Sequence, residues 1–246
     1  MNPPYDWIAP AWPASPRVRS LITTRNGGVS TGAHASFNLG LAAGDDATAV
    51  AANRALLRNY LPQEPAWLRQ VHGARVVPAD GLTEKPAADA SIARNAGTVC
   101  AVMIADCLPV LLCDTHGEVV AATHAGWRGL SSGVVENTVA AMGGAPADLL
   151  AYLGPAIGPS AFEVGADVRD AFLAADPAAG AAFTPHREGK WLADLFKLAR
   201  RRLEQCGVTR VYGGGLCTYR DAARFYSYRR ERTTGRMAAL IWLDNN

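Results

Sequence analysis

Residues 98–124 read TVCAVMIADCLPVLLCDTHGEVVAATH, and this stretch decides the fold. Its three apolar, β-rich runs, at 98–105, 108–113 and 118–124, predict buried strands. The tetrapeptide DTHG between the last two runs predicts a hairpin turn. The apolar region is interrupted by Asp106 and is shorter than the ~20 residues of a membrane-spanning helix. No membrane association is therefore expected.

The rest of the chain alternates strand and helix patterns around this stretch. Further strands are predicted at 18–24, 66–77, 149–153, 209–212, 224–228 and 237–243, and helices at 47–60, from Ser131 or Ser132 to 142, at 165–175 and at 191–205. Because consecutive strands also form hairpins, the predicted fold class is α+β. We expect a single domain over residues 1–246, with mixed β-sheets flanked by helices.

Composition is that of a folded globular protein rather than a disordered one. Hydrophobic residues make up 49% of the 246 residues, charged residues 19%, and the net charge is +2. A nucleic-acid binder usually carries a clear cationic excess, so nucleic acid is not expected as a partner. The five cysteines form no C-x-x-C pair, and the proline-rich N-terminus lacks the features of a signal peptide. These observations predict a cytoplasmic protein.

Two breaks in the apolar pattern carry candidate chemistry. Cys107 stands between two predicted strands, close to Pro109, which cannot donate to a strand ladder, so the chain is expected to break there and expose the thiol. A buried, inert cysteine is an equally open interpretation. His124 ends the next strand and precedes a glycine-flanked Trp-Arg pair, where Arg128 suits anion binding. A structural, hydrogen-bonded histidine is the alternative there.

A third candidate, His72, lies upstream, and the three residues together suggest a metal site. One cysteine and two histidines leave a fourth position open for water or substrate, which is typical of catalytic zinc. The same donors occur in copper proteins. A multicopper oxidase, however, needs many histidines in H-x-H pairs, and this chain has five histidines and no such pair. The predicted cofactor is Zn²⁺, bound by His72, Cys107 and His124.

A cysteine hydrolase is the main rival to a metal enzyme. Cys107 would then be the nucleophile, and His124 or His72 its base. Asp106 or Glu163 would orient that base. Metal binding and nucleophilic attack both need the thiolate, so the residues alone do not separate the two hypotheses.

Six long motifs resemble one known family. They are GGVSTGAHASFNLG (27–40), WLRQVHGARV (67–76), ADCLPVLLCD (105–114), HAGWRG (124–129), LGPAIGPSAFEVG (153–165) and CTYRDAARFYSYRRERTTGRMAALI (217–241). In this order they resemble the YfiH-type family, whose members have also been called laccase-domain or multicopper polyphenol oxidase proteins. The resemblance covers nearly the whole chain. It implies a YfiH-like, cysteine hydrolase-like fold and a zinc site on His72, Cys107 and His124.

The resemblance also implies a function, which the residues alone do not give. It implies a purine nucleoside phosphorylase acting on adenosine, inosine and methylthioadenosine, with adenosine deamination as a further reaction. The expected partners are a nucleoside and phosphate, and the expected assembly is a monomer or a homodimer. An amidase that edits peptidoglycan precursors, using Cys107, is the alternative. A non-catalytic binding protein is the third hypothesis.

The remaining polar residues of these motifs receive expected roles. Phosphate needs cationic partners, the ribose or base needs hydrogen-bonding groups, and proton transfer needs a carboxylate. The expected catalytic residues are Cys107, Asp106, Glu163 and Arg128, and the expected substrate-binding residues are Asn38, Gln70, Arg25 and Arg229. The C-terminal arginines Arg229, Arg230, Arg232 and Arg236 cluster around a predicted turn, where a solvated charged face is the ordinary interpretation.

Overall fold

The protein combines strands and helices, and its computed structural model describes residues 5–244. The strands are β1 Val18–Ile22, β2 Val76–Pro78, β3 Ala90–Ala93, β4 Cys100–Ile104, β5 Leu108–Asp114, β6 Val120–Ala125, β7 Leu149–Leu153, β8 Glu163–Val164, β9 Phe183–Pro185, β10 Trp191–Ala193, β11 Arg210–Gly213 and β12 Met237–Leu243. The α-helices are α1 Ala47–Arg58, α2 Trp127–Ser131, α3 Val134–Met142, α4 Ala166–Ala175, α5 Leu195–Gln205 and α6 Tyr228–Glu231. Short 3₁₀ turns connect several of them.

The strands form one large mixed sheet and two small antiparallel sheets. The six-stranded sheet has the order β11-β7-β5-β6-β3-β2, and its outer pairs β11–β7 and β2–β3 are parallel. The three-stranded sheets have the orders β1-β12-β4 and β8-β10-β9. This arrangement confirms the predicted α+β class with mixed sheets. No helix in residues 5–244 is long and apolar enough to cross a membrane.

Strand β5 is the centre of the core and is buried along its whole length. Val110 and Leu112 pack in a cluster with residues of α3, α4 and α5, while Leu111 and Cys113 pack against β4 and β12. Because successive side chains of a strand point to opposite faces, both faces must be apolar. The predicted hairpin is confirmed, with β5 and β6 pairing from Leu108↔Ala125 to Cys113↔Val120.

The predicted strand over 66–77 is wrong, because only its end forms β2. His72 has a φ of 58°, in the left-handed region, which a strand does not contain. Isolated bridges at Ala66 and Arg69 are the other strand-like contacts of this segment. The backbone N–H groups around His72 bind a carboxylate instead of a neighbouring strand.

Two helix boundaries and one further strand also differ from the prediction. The predicted helix over 191–205 begins only at Leu195, because residues 191–193 pair with β9 and Asp194 caps the helix by accepting a hydrogen bond from the N–H of Lys197. Residues 224–228 form no strand, and Ser227 caps α6 instead. Helix α3 starts after Gly133, whose φ of 90° favours glycine, rather than at Ser131 or Ser132.

The central position of β5 yields a stability prediction. Leu111→Ala should lower the free energy of unfolding by about 2–5 kcal/mol, because it leaves a cavity in a close-packed core. Leu41→Ala is the matched control, since Leu41 is 49% exposed, and should change stability by no more than about 0.5 kcal/mol. Chemical denaturation followed by circular dichroism measures both. Equal stability of the two variants would contradict the assigned core.

Candidate metal centre

The three predicted ligands come together in the structure. The candidate ligand atoms of His72, Cys107 and His124 all lie within 4.8 Å of one another. The two imidazole rings are 4.9 Å apart between centroids, at an interplanar angle of 75°. His124 is buried, Cys107 half-buried and His72 exposed. The cluster could therefore bind a metal ion and leave one side open to a small molecule.

Cys107 is presented by a sharp bend between β4 and β5. Asp106 has a φ of 91°, a conformation that a non-glycine residue adopts only when its surroundings hold it. The carboxylate of Asp106 accepts hydrogen bonds of 2.6 Å from the Thr218 hydroxyl and from the backbone N–H of Arg229. These bonds tie the bend to the C-terminal segment and leave the thiol of Cys107 facing the histidines.

Two glycines allow the close packing around the cluster. A Cβ atom at Gly126 would lie 2.9 Å from Cys107 Sγ and 3.2 Å from a carbon of the His72 ring. A Cβ atom at Gly129 would lie 2.7 Å from the carbonyl oxygen of Gly73. Neither glycine has a positive φ in this structure. They are needed because other atoms approach closely, not because of an unusual backbone conformation.

The buried carboxylate of Asp89 holds both histidines, and sequence reasoning missed it. Its Oδ1 accepts from His124 Nδ1 at 2.8 Å and from the N–H of His72 at 2.9 Å. Its Oδ2 accepts from the N–H groups of Val71 and Gly73 at 3.1 and 2.8 Å. A lone aspartate in the apolar segment AADASIA was the available signal, because a buried charge needs several partners. The bond to Nδ1 leaves Nε2 of His124 free to act as a ligand.

Cys107 and His124 form a tightly coupled pair. Burial alone would raise the pKa of the Cys107 thiol, but the charge of His124 and hydrogen bonds from both histidines outweigh it and lower that pKa. Burial would lower the pKa of His124, yet the charge of Cys107 and the hydrogen bond to Asp89 raise it. In the metal-free protein, both shifts favour a thiolate beside an imidazolium.

Other residues predicted for the site make structural contacts. The Gln70 amide donates to the carbonyl of Met103 at 2.9 Å and accepts from its N–H at 2.7 Å. Asn38 is fully buried; its Oδ1 accepts from the N–H groups of Gly40 and Arg236, and its Nδ2 donates to Asp45. These contacts favour a positioning role over direct contact with substrate.

The other charged residues predicted for the site make their contacts outside the three-ligand cluster. Hydrogen bonds from Arg187 lower the pKa of Glu163, which makes Glu163 a weak proton acceptor. The Arg25 guanidinium donates to the carbonyls of Ala35 and Ala222 and pairs with Glu231. Arg229 donates to the carbonyls of Ala161 and Glu163, and exposed Arg128 stacks on the Trp127 ring. Within residues 5–244, no hydrogen bond or ion pair joins any of these residues to the three ligands.

Sequence comparisons assign the chain to a family. A family model described as multi-copper polyphenol oxidoreductase laccase matches residues 19–244. A purine nucleoside phosphorylase of Pseudomonas aeruginosa is 53% identical over 240 residues, covering 97% of this chain and 99% of that protein. YfiH of Escherichia coli, also named a purine nucleoside phosphorylase, is 52% identical over 242 residues, covering 96% and 98%.

Solved structures agree with the sequence comparisons. The crystal structure of a Neisseria meningitidis protein matches with a TM-score of 0.95 at 52% identity, covering 98% of this chain and 100% of that one. YlmD from Geobacillus stearothermophilus matches with a TM-score of 0.93 at 31% identity, covering 100% and 98%. Fold and site thus define a mixed-sheet protein with a His-Cys-His cluster. The chain belongs to the YfiH family, as its motifs predict.

The four contacts of Asp89 yield a prediction about metal affinity. In Asp89→Asn, any orientation of the amide turns an NH₂ group toward N–H donors, so the His72 loop and the His124 ring lose their common anchor. Zinc affinity should fall by about 10- to 100-fold. Competition with a chromogenic chelator measures it.

Asp114→Asn is the matched control for this variant. Asp114 is also buried, but its Oδ1 alone accepts the N–H groups of Glu118 and Val119, so an asparagine oxygen can replace it. Zinc affinity of this variant should stay at the wild-type value. An unchanged affinity in Asp89→Asn would refute the anchoring role.

The lowered pKa of Cys107 predicts selective alkylation of the metal-free protein. Because the thiolate reacts, iodoacetamide should modify Cys107 with a half-maximal rate at a pH well below the ~8.5 of a free thiol. Cys206 is an internal control, because burial raises its pKa. Peptide mass mapping across pH measures both rates, and stoichiometric zinc should protect Cys107. Equal pH profiles at the two cysteines would contradict the ion pair.

Proposed function

We propose that this protein is a zinc-dependent purine nucleoside enzyme that catalyses phosphorolysis of adenosine, inosine and methylthioadenosine. Adenosine deamination is proposed as a further reaction of the same site. The observation that carries the proposal is the meeting of His72, Cys107 and His124, with one side open to solvent. The names of the relatives support the reaction class, since those from Pseudomonas aeruginosa and Escherichia coli are called purine nucleoside phosphorylases.

The donor set of the cluster fits zinc. One thiolate and two imidazole nitrogens suit a borderline-soft cation, and Asp89 fixes the Nδ1–H tautomer of His124 that ligation through Nε2 requires. A zinc ion bound there would supply a Lewis acid that polarises a substrate atom. Copper is the alternative metal, given the description of the family model. Five histidines in the chain are too few for a multicopper centre.

Phosphorolysis requires residues of the protein to bind phosphate and to stabilise the leaving base. A phosphate oxygen bonds to the anomeric carbon of the ribose while the bond to the purine nitrogen breaks, and the electron pair leaves with the base. The base then needs a proton or another positive partner, and phosphate needs cationic donors. Arg128 and Arg229 are exposed, and we assign them to attracting phosphate. We assign Asp106, whose oxygens already accept two hydrogen bonds, to positioning Cys107.

A second candidate function rests on a separate observation. The contacts of Cys107, His124 and Asp89 form a nucleophile-base-orienter series, with 2.8 Å between His124 Nδ1 and Asp89 Oδ1. This arrangement suits a cysteine hydrolase. The corresponding reaction is amide cleavage in a peptidoglycan precursor: Cys107 would attack the carbonyl carbon, the amine would leave with a proton from His124, and water would then release the acyl group from the sulfur.

Turnover with and without phosphate separates the two functions. The wild-type protein with one equivalent of zinc should release free base from adenosine only when phosphate is present, and ammonia release reports deamination. Cys107→Ala should lose bound zinc and more than ~99% of the activity, since the cluster loses a ligand. Chromatography of the products and elemental analysis of the protein measure these outcomes.

Cys206→Ala is the control, because Cys206 lies outside the cluster; it should keep both zinc and turnover. Release of an amino acid from a muramyl-peptide precursor without phosphate would establish the hydrolase instead. Equal turnover of adenosine by wild type and Cys107→Ala would remove the proposed centre altogether.

A further inference from the structure

One arginine next to the cluster has unused hydrogen-bond donors. Nη1 of Arg236 donates to the carbonyls of Thr234 and Gly235 at 2.8 and 2.9 Å. Nε and Nη2 carry the other three of the five guanidinium N–H groups. Within residues 5–244 they have no protein acceptor, and no carboxylate lies within 4.0 Å of the guanidinium. The Nε–Nη2 edge is the one that binds carboxylate or phosphate through two parallel bonds.

The backbone and stem of Arg236 are held rigidly, so this edge has a fixed direction. The N–H of Arg236 donates to Oδ1 of Asn38 at 2.8 Å, and its carbonyl accepts from the N–H of Leu39 at 3.0 Å. The side-chain stem of Arg236 packs closely against Gly40, since a Cβ atom at Gly40 would lie 2.7 Å from Cγ of Arg236. The polar motif residue Asn38 therefore positions an arginine. A rigid donor pair loses little conformational entropy when it binds a ligand.

Strand pairing brings Arg236 to the segment that carries Cys107, because the next residue, Met237, pairs with Ile104 at the end of β4. The guanidinium is half-buried, and its carbon lies 6.0 Å from the centre of the Tyr228 ring. Burial lowers the pKa of the guanidinium, and the negative charges of Cys107 and Asp106 act in the opposite direction. A half-buried guanidinium with three unpaired N–H groups is a favourable partner for an anionic ligand.

The other candidate arginines are either paired with protein groups or exposed. Arg230 donates to the carbonyls of Thr218, Tyr219 and Phe225 and pairs with Glu231. Arg25, predicted to bind substrate, is likewise paired with Glu231. Arg229 and Arg128 are exposed, where water competes with any anion. Arg236 thus combines free donors, partial burial and proximity to the cluster.

We propose that the Nε–Nη2 edge of Arg236 binds the attacking phosphate beside the His72–Cys107–His124 cluster. This inference rests on the proposed phosphorolysis and names the residue that recognises its inorganic substrate. Arg128 and Arg229 then serve to attract the anion, and Arg236 fixes its orientation.

Arg236→Lys tests the inference, because lysine keeps the charge but lacks the two parallel donors. The KM for phosphate should rise about tenfold or more, which corresponds to loss of one charge-assisted hydrogen bond. The KM for the nucleoside and the zinc content should stay at wild-type values. Arg200→Lys is the matched control, since the Arg200 guanidinium donates to the carbonyls of Val211 and Gly213; its KM for phosphate should not change.

A direct binding measurement separates this inference from the proposed reaction. Titration of the zinc-loaded protein with inorganic phosphate, followed by calorimetry or ³¹P line broadening, should show binding to wild type and Arg200→Lys, and at least tenfold weaker binding to Arg236→Lys. That result supports the phosphate site even if nucleoside turnover needs no phosphate. Equal phosphate affinity of wild type and Arg236→Lys, or no binding to wild type at millimolar phosphate, would overturn it. Thermal unfolding of each variant checks that the fold is intact.

Discussion

The carboxylate of Asp89 is the contact on which the candidate site depends. It is fully buried and accepts four N–H donors, three from the backbone around His72 and one from the ring of His124. Burying a charge is costly, and here the hydrogen bonds outweigh that cost, so the pKa of Asp89 is lowered rather than raised. Because the donors come from a loop and from β6, one side chain fixes the relative position of two candidate ligands.

How far the sequence predicts the fold depends on where each segment finds its partners. The hairpin of β5 and β6 is predictable, because both strands are buried on both faces and appear as continuous apolar runs. The segment 66–77 has similar apolar content, but its backbone is satisfied by the Asp89 side chain. Residues 191–193 fit the helical pattern of α5, yet they pair with β9. A side-chain anchor from another segment and strands of only three residues leave little local signal, and that explains these errors.

The candidate site is likewise predictable only where a local sequence pattern marks the residue. His72, Cys107 and His124 stand beside glycine or proline breaks that can be recognised in the sequence. The sequence does not show which polar residues of the same motifs contact a ligand. Asn38 and Gln70 have the chemistry to bind a nucleoside, but their amides hold backbone groups of Arg236 and Met103. A polar side chain in a motif can therefore serve by orienting its neighbours, and only the contacts distinguish this from direct recognition.

A zinc enzyme and a cysteine hydrolase would both use Cys107 and His124, but in different charge states. Ligation requires a neutral His124 with a free Nε2, whereas the nucleophile-base pair requires a proton on that ring when the thiolate forms. The positive charge that neutralises the Cys107 thiolate is thus either a metal ion or the His124 imidazolium, and not both. Metal binding must displace a proton from the pair, so the two chemistries exclude each other in one molecule. Asp89 supports both, because it accepts the Nδ1–H in either state. Whether the cluster holds a metal ion or a proton on His124, rather than the arrangement of residues, then determines which reaction the protein can catalyse.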